Sequence, residues 1–243
     1  MKAILLAGGT GSRLLPLTLG VNKHLLPVGK QPMIGHALSL LRDIGATSIV
    51  IITTPEDLSG YGRLIASPYP PYTDFDGIYL TVQRTPSGIA DAIKYGAAIV
   101  KQEPVIVMLA DNIYSHKDVP AIAADVSAFR SGCHIWVTKT DHPSSVGILV
   151  LDDDGKPQRC VEKPKEFVGD LAVTGLYLFD EVLWQYLTCL KPSARGEYEV
   201  TDLLRMYLEY DAFAYTQLCG DWLDLGQSLD QFLDYTCKVI QCT

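Results

Sequence analysis

The sequence predicts an α/β fold in which a mainly parallel, mixed sheet is flanked by helices, with a smaller, partly antiparallel portion in the second half. Three observations carry the prediction. Short apolar runs of strand length alternate with helix-length segments up to Thr140, the pattern of repeated strand–helix units. The first of these runs ends in a break almost without side chains, Gly8-Gly9-Thr10-Gly11. After Gly147 the style changes to two strand-like runs around Asp152-Asp153-Asp154-Gly155, as in an antiparallel hairpin.

Each element has its own justification. Lys2–Ala7 is apolar after its first residue and reads as a buried strand. Pro32–Ile44 carries Met33, Ile34, Ala37, Leu38, Leu41 and Ile44 at helical spacing and stops at Gly45. Ser48–Thr53 reads as a strand, Glu56–Ala66 as a helix, and the Pro- and Tyr-rich stretch from Ser67 to Gly77 as a surface loop. Ile78–Gln83 is a strand, Ile89–Lys101 a single helix, and Pro104–Leu109 a short buried strand. Asp118–Arg130 is helical and His134–Thr140 extended. Beyond the hairpin come a strand at Ala172–Phe179, helices at Glu181–Leu190 and Glu199–Tyr210, and a strand at Ala212–Leu218. A terminal helix from Ser228 to about Ile240 sets Leu229, Phe232, Leu233, Thr236, Val239 and Ile240 on one side. No linker divides the chain, so one domain is expected over 1–243, in portions 1–112, 113–227 and 228–243.

Composition narrows the function. With 243 residues, 48% hydrophobic and 20% charged, the chain has the means to form a core. A net charge of −8 argues against a nucleic-acid partner, and any anion must be met by a local cluster of Arg and Lys. No apolar run approaches ~18 residues and no signal-like segment is present. A soluble, cytoplasmic protein without a membrane partner is therefore expected. The six cysteines form no CxxC pair and read as free thiols. The five histidines, His24 among them, read as structural or surface residues.

In a parallel sheet, working residues gather at the carboxyl ends of the strands. The Gly8–Gly11 loop follows the first strand, with Arg13 just beyond it and Lys23 ten residues further on. Glycine-lined backbone and nearby cations suit phosphate. The P-loop spacing is absent, and Leu14 stands where a dinucleotide fingerprint needs its third glycine. The whole string Leu6-Ala7-Gly8-Gly9-Thr10-Gly11-Ser12-Arg13-Leu14, with Pro16, Thr18, Lys23 and Pro27, resembles the signature of the sugar-1-phosphate nucleotidylyltransferases. Gln83 with Pro86-Ser87-Gly88-Ile89-Ala90, Leu109-Ala110-Asp111-Asn112, Gly147, Glu162-Lys163-Pro164, Val173-Thr174-Gly175, Arg195-Gly196-Glu197 and Trp222-Leu223-Asp224-Leu225-Gly226 follow in the family's order. Within the family the likeness is closest to the short thymidylyltransferases, whose shortness implies weak or absent feedback control.

The resemblance implies a Rossmann-like nucleotide-binding portion (1–112), a sugar-binding portion (113–227) and a C-terminal helix. It implies that Leu6, Gly8, Gly9, Gly11, Ser12, Gln83, Pro86 and Gly88 bind the nucleotide, and that Arg13, Lys23 and Lys163 are the catalytic cations. It assigns the sugar phosphate to Asn112, Gly147, Glu162, Val173, Thr174 and Arg195. Gln83 has a donor and an acceptor with which to read a pyrimidine imide, and Gly88 is expected to leave room for the base. Asp111 and Asp224 offer hard oxygens for Mg²⁺, which uses one or two carboxylates plus substrate phosphates. The implied reaction joins dTTP and α-D-glucose 1-phosphate into dTDP-glucose and pyrophosphate, with no covalent nucleophile and no general base. UTP or another sugar phosphate is the alternative substrate, and a silent nucleotide-sugar-binding protein the alternative function. A homo-oligomer is a further implied possibility. Three positions depart from the family pattern: Asp91 for the usual Gln, Ala110 for Gly, and Leu225 for Thr.

Overall fold

The computed structural model describes residues 1–241, with side chains to Lys238. Cys242 and Thr243, and the expected apolar contacts of Val239 and Ile240, lie outside the described residues. In the first half the strands are β1 (Lys2–Leu6), β2 (Pro27–Val28), β3 (Gln31–Pro32), β4 (Ser48–Thr53), β5 (Gly77–Val82), β6 (Val105–Leu109) and β7 (Asn112–Tyr114). The helices there are α1 (Met33–Asp43), α2 (Leu58–Ile65), α3 (Ile89–Lys94), α4 (Ala97–Val100) and α5 (Val119–Ala128). The second half adds β8 (Cys133–Lys139), β9 (Gly147–Leu151), β10 (Pro157–Glu162) and β11 (Leu171–Phe179). It continues with α6 (Val182–Cys189), α7 (Val200–Glu209), β12 (Phe213–Gln217), β13 (Trp222–Asp224) and α8 (Leu229–Gln241).

β1 is a run of apolar side chains because it is buried on both faces. It lies parallel to β4 and β6 with Leu6 level with Ile52 and Leu109, and β5 extends the sheet beyond β4. Ile4 and Leu6 face one core, made with α3, α6 and α7, while Ala3, Leu5 and Ala7 face the other, made with α1, α2 and α5. Parallel registry brings the carboxyl ends of β1, β4, β5 and β6 to one edge, so the loops that follow them converge.

The later strands turn antiparallel. β11 pairs with β6 through Leu176–Phe179, with β9 through Leu171 and Ala172, and with β8 along both stretches. Its register breaks between Val173 and Tyr177, so the sheet forks there, with the β9–β10 hairpin on one branch and β6 on the other. β7 and β13 form a separate short ladder in which Asn112 sits opposite Asp224.

Three expectations need correction. The helix expected over Ile89–Lys101 is divided into α3 and α4 around Gly96, where an added Cβ would lie 2.6 Å from Ile4 Cδ1, so the chain passes β1 at close range. β2, β3, β7 and β13 are not among the expected strands, because two or three residues are too few to show a period. Leu233 is exposed, whereas Phe232 alone of the terminal helix's large side chains is fully buried among the described residues.

Phe232 belongs to a third, smaller core with Leu14, Leu26, Val28, Met33 and Leu225. This cluster ties α8 to the segments on either side of the Gly-rich loop, and it explains Leu225. The side chain is 1% exposed and packs in that core. Ala110 is likewise buried, and its backbone is not left-handed, so its methyl replaces a glycine hydrogen without strain. Leu225→Ala is expected to lower stability by about 2–4 kcal/mol, read as a shifted urea midpoint at constant slope. A loss below about 0.5 kcal/mol would place Leu225 outside the load of this core.

Candidate active site

The loop after β1 has two glycines at positive φ, Gly9 at 98° and Gly11, and the second shapes its closure. Gly11 has φ 63°, and a Cβ there would lie 2.9 Å from the Thr18 methyl and 3.3 Å from Lys23 Cβ. Glycine thus lets the returning segment close over the loop, and the Thr18 hydroxyl seals it by donating to the Gly11 carbonyl at 2.8 Å. Lys23 then opens a 3-10 turn capped by Asn22, whose Oδ1 accepts from the His24 N–H at 3.0 Å. The Tyr61 hydroxyl lies 3.1 Å from the Ala7 carbonyl and 3.0 Å from Asn22 Oδ1, and Asn22 Nδ2 donates to Asp57 at 2.7 Å. A buried polar network from α2 therefore fixes Lys23 relative to the end of β1. Burial, and next the Lys23 charge, lower the His24 pKa to about 3, so the ring inside this network is neutral.

Lys23 Nζ meets Asp111 Oδ2 at 2.5 Å. Asp111 lies just past β6, and its Oδ1 accepts from Asn112 Nδ2 at 3.0 Å. Burial alone would raise the Asp111 carboxyl, but the Lys23 charge and the hydrogen bonds from Lys23 and Asn112 outweigh it and hold the group below its ordinary value. Asp224, at the end of β13, is pushed the other way, by burial and then by the charge of Asp111. Gly226 is what lets the three groups converge: a Cβ there would lie 2.5 Å from Asp111 Oδ2, 2.8 Å from Lys23 Nζ and 3.2 Å from Asp224 Oδ1. The Leu225 N–H donates to the Asp111 carbonyl at 2.9 Å, locking the two acidic turns together. Two carboxylates facing one notch, with no cluster of three or more His, Cys, Asp or Glu among the described residues, fit a hard divalent cation that completes its shell with phosphate and water.

Beside the notch a cavity opens at the fork of the sheet. Of the residues singled out in the sequence, Arg13, Asn112, Gly147, Glu162, Lys163, Val173 and Asp224 line it. Arg13 is exposed and donates to Gln227 at 3.3 Å. Glu162 ends β10, with Lys163 Nζ at 3.7 Å, Arg195 Nη1 at 3.5 Å and the Thr201 hydroxyl donating at 3.3 Å. Burial raises its pKa despite the two cations. Lys163 takes a left-handed backbone, φ 42°, which costs about 1 kcal/mol in a non-glycine residue. Asn112 lines the cavity but its Oδ1 already accepts from the Gly175 N–H and the Trp222 indole, so it acts mainly as framework. Thr174 is a correction: strand alternation turns its side chain away from Val173 and Gly175, and its hydroxyl donates to the Trp136 carbonyl at 2.8 Å. Thr201, Tyr177, Trp222 and Gln227 also line the cavity. The sequence reading gives none of them a site role, although Trp222 stands in the Asp224 motif and Gln227 adjoins it; only the packing of α7 on β10 reveals Thr201.

At the other side of the Gly-rich loop, Gln83 follows β5 and its Nε2 donates to Asp91 Oδ2 at 3.0 Å. Gly88 is the second correction. Its φ is 107°, and the space its side chain would need is filled by the Tyr198 backbone at 2.6 Å, so it serves the close passage of the 195–199 loop rather than clearing room for a base. That loop is hydrogen-bonded to the Gly88 segment through Tyr198 N–H to Ser87 O and Ala90 N–H to Tyr198 O.

A glycine-lined loop, a Lys–Asp–Asp notch and a neighbouring cavity at the carboxyl edge of a parallel sheet make up the site. The chain belongs to the nucleotidyl transferase family, whose sequence model matches residues 2–241. It is 38% identical over 230 residues to the glucose-1-phosphate thymidylyltransferase of Neisseria meningitidis serogroup A, covering 93% of this chain and 78% of that one. A crystal structure from Bacillus anthracis, assigned as a glucose-1-phosphate thymidylyltransferase and in complex with sucrose, superposes with a TM-score of 0.87 at 35% identity, over 99% of this chain and 95% of the other. The crystal structure of a UDP-glucose pyrophosphorylase superposes with a TM-score of 0.89 at 22% identity, covering 100% and 99% of the two chains, a likeness of fold alone. Among the described residues no helix is long and apolar enough to cross a membrane.

Two outcomes follow from the geometry. Gly226→Ala is expected to cut turnover about 100-fold by parting Lys23 from the carboxylates, and to lower the melting temperature as well because it crowds a buried ion pair; full activity would disprove the notch. Because His24 binds its proton less readily folded than unfolded, its contribution to stability is complete above pH 6.5 and is lost as pH falls toward 3. The wild type should therefore lose about 2 kcal/mol more than His24→Gln between pH 7 and 5, read from urea midpoints; parallel pH profiles would show that the ring takes up its proton normally.

Proposed function

We propose that this enzyme transfers a deoxythymidylyl group from dTTP to α-D-glucose 1-phosphate. A phosphate oxygen of the sugar attacks the α-phosphorus in line, the new P–O bond forms, the bond to the β-phosphate bridging oxygen breaks, and pyrophosphate leaves. The observation that carries this reading is the convergence of Lys23, Asp111 and Asp224 beside a cavity closed by Glu162 and Lys163. The names of the relatives support the same pair of substrates.

In this reading the Gly8–Gly11 backbone, with Leu6 and Ser12, seats the triphosphate, and Gln83, Pro86 and Gly88 border the base. Arg13 neutralises charge growing on the departing pyrophosphate, and Lys23 charge around the α-phosphorus. Lys163, with Arg195, holds the sugar's phosphate, while Glu162 and the backbones of Gly147 and Val173 receive the sugar hydroxyls. Mg²⁺ held by Asp111 and Asp224 supplies neutralisation of the triphosphate when bound. A sugar phosphate has a second pKa near ~6, so the nucleophile is largely a dianion at neutral pH and no side chain has to remove a proton. Positioning and charge stabilisation then provide the catalysis.

Pyrophosphate release across dTTP, UTP and other nucleoside triphosphates, each paired with several sugar phosphates, tests the proposal. The highest kcat/KM is expected for dTTP with glucose 1-phosphate, and the activity should vanish with EDTA and return with Mg²⁺. Asp111→Asn and Asp224→Asn should each lower kcat about 100-fold or more. Nucleotide binding without turnover of any pair would refute the enzyme reading in favour of a silent binding protein.

A further inference from the structure

Asp91 departs from the family pattern, and the structure gives it a partner. The Gln83 backbone is fixed by its N–H, which donates to the Thr53 carbonyl at 2.9 Å. Its side-chain Nε2 then faces two acceptors, Asp91 Oδ2 at 3.0 Å and the Gly88 carbonyl at 3.4 Å. A carboxylate and a carbonyl can only accept, so chemistry, and not the choice of amide orientation, decides which end of Gln83 turns inward. Both amide hydrogens are occupied, and Oε1 is left without a donor among the described residues. Asp91 is itself held: Lys94 Nζ lies 3.6 Å from its Oδ1 and 4.4 Å from the centre of the Tyr198 ring. The two-sided imide reading expected of Gln83 is thereby reduced to one side.

We infer that Asp91 is a specificity-positioning residue: by fixing the Gln83 amide it leaves Oε1 alone to meet the base, which favours bases bearing a ring N–H over those bearing a ring lone pair. This rests on the proposed nucleotide substrate and deepens it. Thymine and uracil carry N3–H at the edge concerned, whereas cytosine carries a bare N3 whose lone pair would oppose Oε1. A glutamine at position 91, able to donate or accept, would leave only the long 3.4 Å contact with the Gly88 carbonyl to orient the Gln83 amide. With Asp91 the orientation is imposed, and the discrimination is between base classes; the C5 methyl that separates thymine from uracil plays no part in it.

The test compares binding of dTTP, UTP, CTP and N3-methyl-dTTP by calorimetry with pyrophosphate release, in the wild type, Asp91→Asn and Asp91→Glu. In the wild type, CTP and N3-methyl-dTTP should bind at least about tenfold more weakly than dTTP. Asp91→Asn, close in shape but able to donate, should shrink the dTTP-to-CTP ratio about tenfold through KM rather than kcat. Asp91→Glu, which keeps an acceptor, should retain most of the preference. A dTTP-to-CTP ratio that is the same in all three proteins, or equal binding of N3-methyl-dTTP and dTTP, overturns the inference while leaving nucleotidyl transfer standing. A preference for N3–H bases that Asp91→Asn abolishes, seen in binding without any turnover, supports it and removes the transfer reaction instead.

Discussion

The structure depends on holding a lysine ammonium against one carboxylate, with a second carboxylate close by, in a largely buried place. Removing charges from water is costly, and the attraction within such a group offsets the cost only when its geometry is well determined. Three separate segments deliver it: Lys23 follows the Gly-rich loop, Asp111 follows β6, and Asp224 ends β13. Each delivery is enforced from behind. The Tyr61–Asn22–Asp57 network fixes the first, the Asn112 amide and parallel registry with β1 fix the second, and the Leu225 main chain ties the third to the second. Even the small third core serves this end, since Leu14 and Leu225 pack in it together.

The same logic resolves how a chain of net charge −8 can receive two anions. Its site cations other than Arg13 are matched locally by carboxylates rather than gathered in an open basic patch. Lys23 lies against Asp111, Lys163 against Glu162, and Arg195 among Glu162, Glu197 and Glu199. Held this way, the cationic side chains are already ordered, so less conformational freedom is lost when phosphate arrives. The matching carboxylates are then left near the ligand, where the Asp111–Asp224 pair suits a divalent cation and Glu162 suits hydroxyl donors. The acidic balance of the protein is thus part of the site's chemistry.

Much of this was legible in the sequence, because burial and periodicity are local signals. The uninterrupted apolar runs at Lys2–Ala7 and Pro104–Leu109 announced central strands, and the Gly-rich break between β1 and Lys23 announced the loop that matters. What escaped notice depends on which distant segment arrives. Gly88 looks like a residue that clears space, yet Tyr198 occupies that space. Thr174 sits in a site-like motif, but alternation along β11 sends its hydroxyl to Trp136. Leu225 reads as a lost hydroxyl until Phe232 and Leu14 are seen around it. No local pattern could have shown Thr201 reaching Glu162, since the contact exists only because α7 lies on β10.

The forked sheet and the paired loops have one further consequence for a two-substrate reaction. The segment following Gln83, at the proposed base, exchanges two backbone hydrogen bonds with Tyr198, three residues beyond Arg195. Lys94 reinforces that junction by contacting both Asp91 and the Tyr198 ring. Arg195 in turn reaches Glu162 at the mouth of the cavity. A displacement of the base segment is therefore passed, through main chain and one ion pair, to the group proposed to receive the sugar. Two ligands that each order one end of such a connected strip lessen the ordering cost of the other, even with no contact between them.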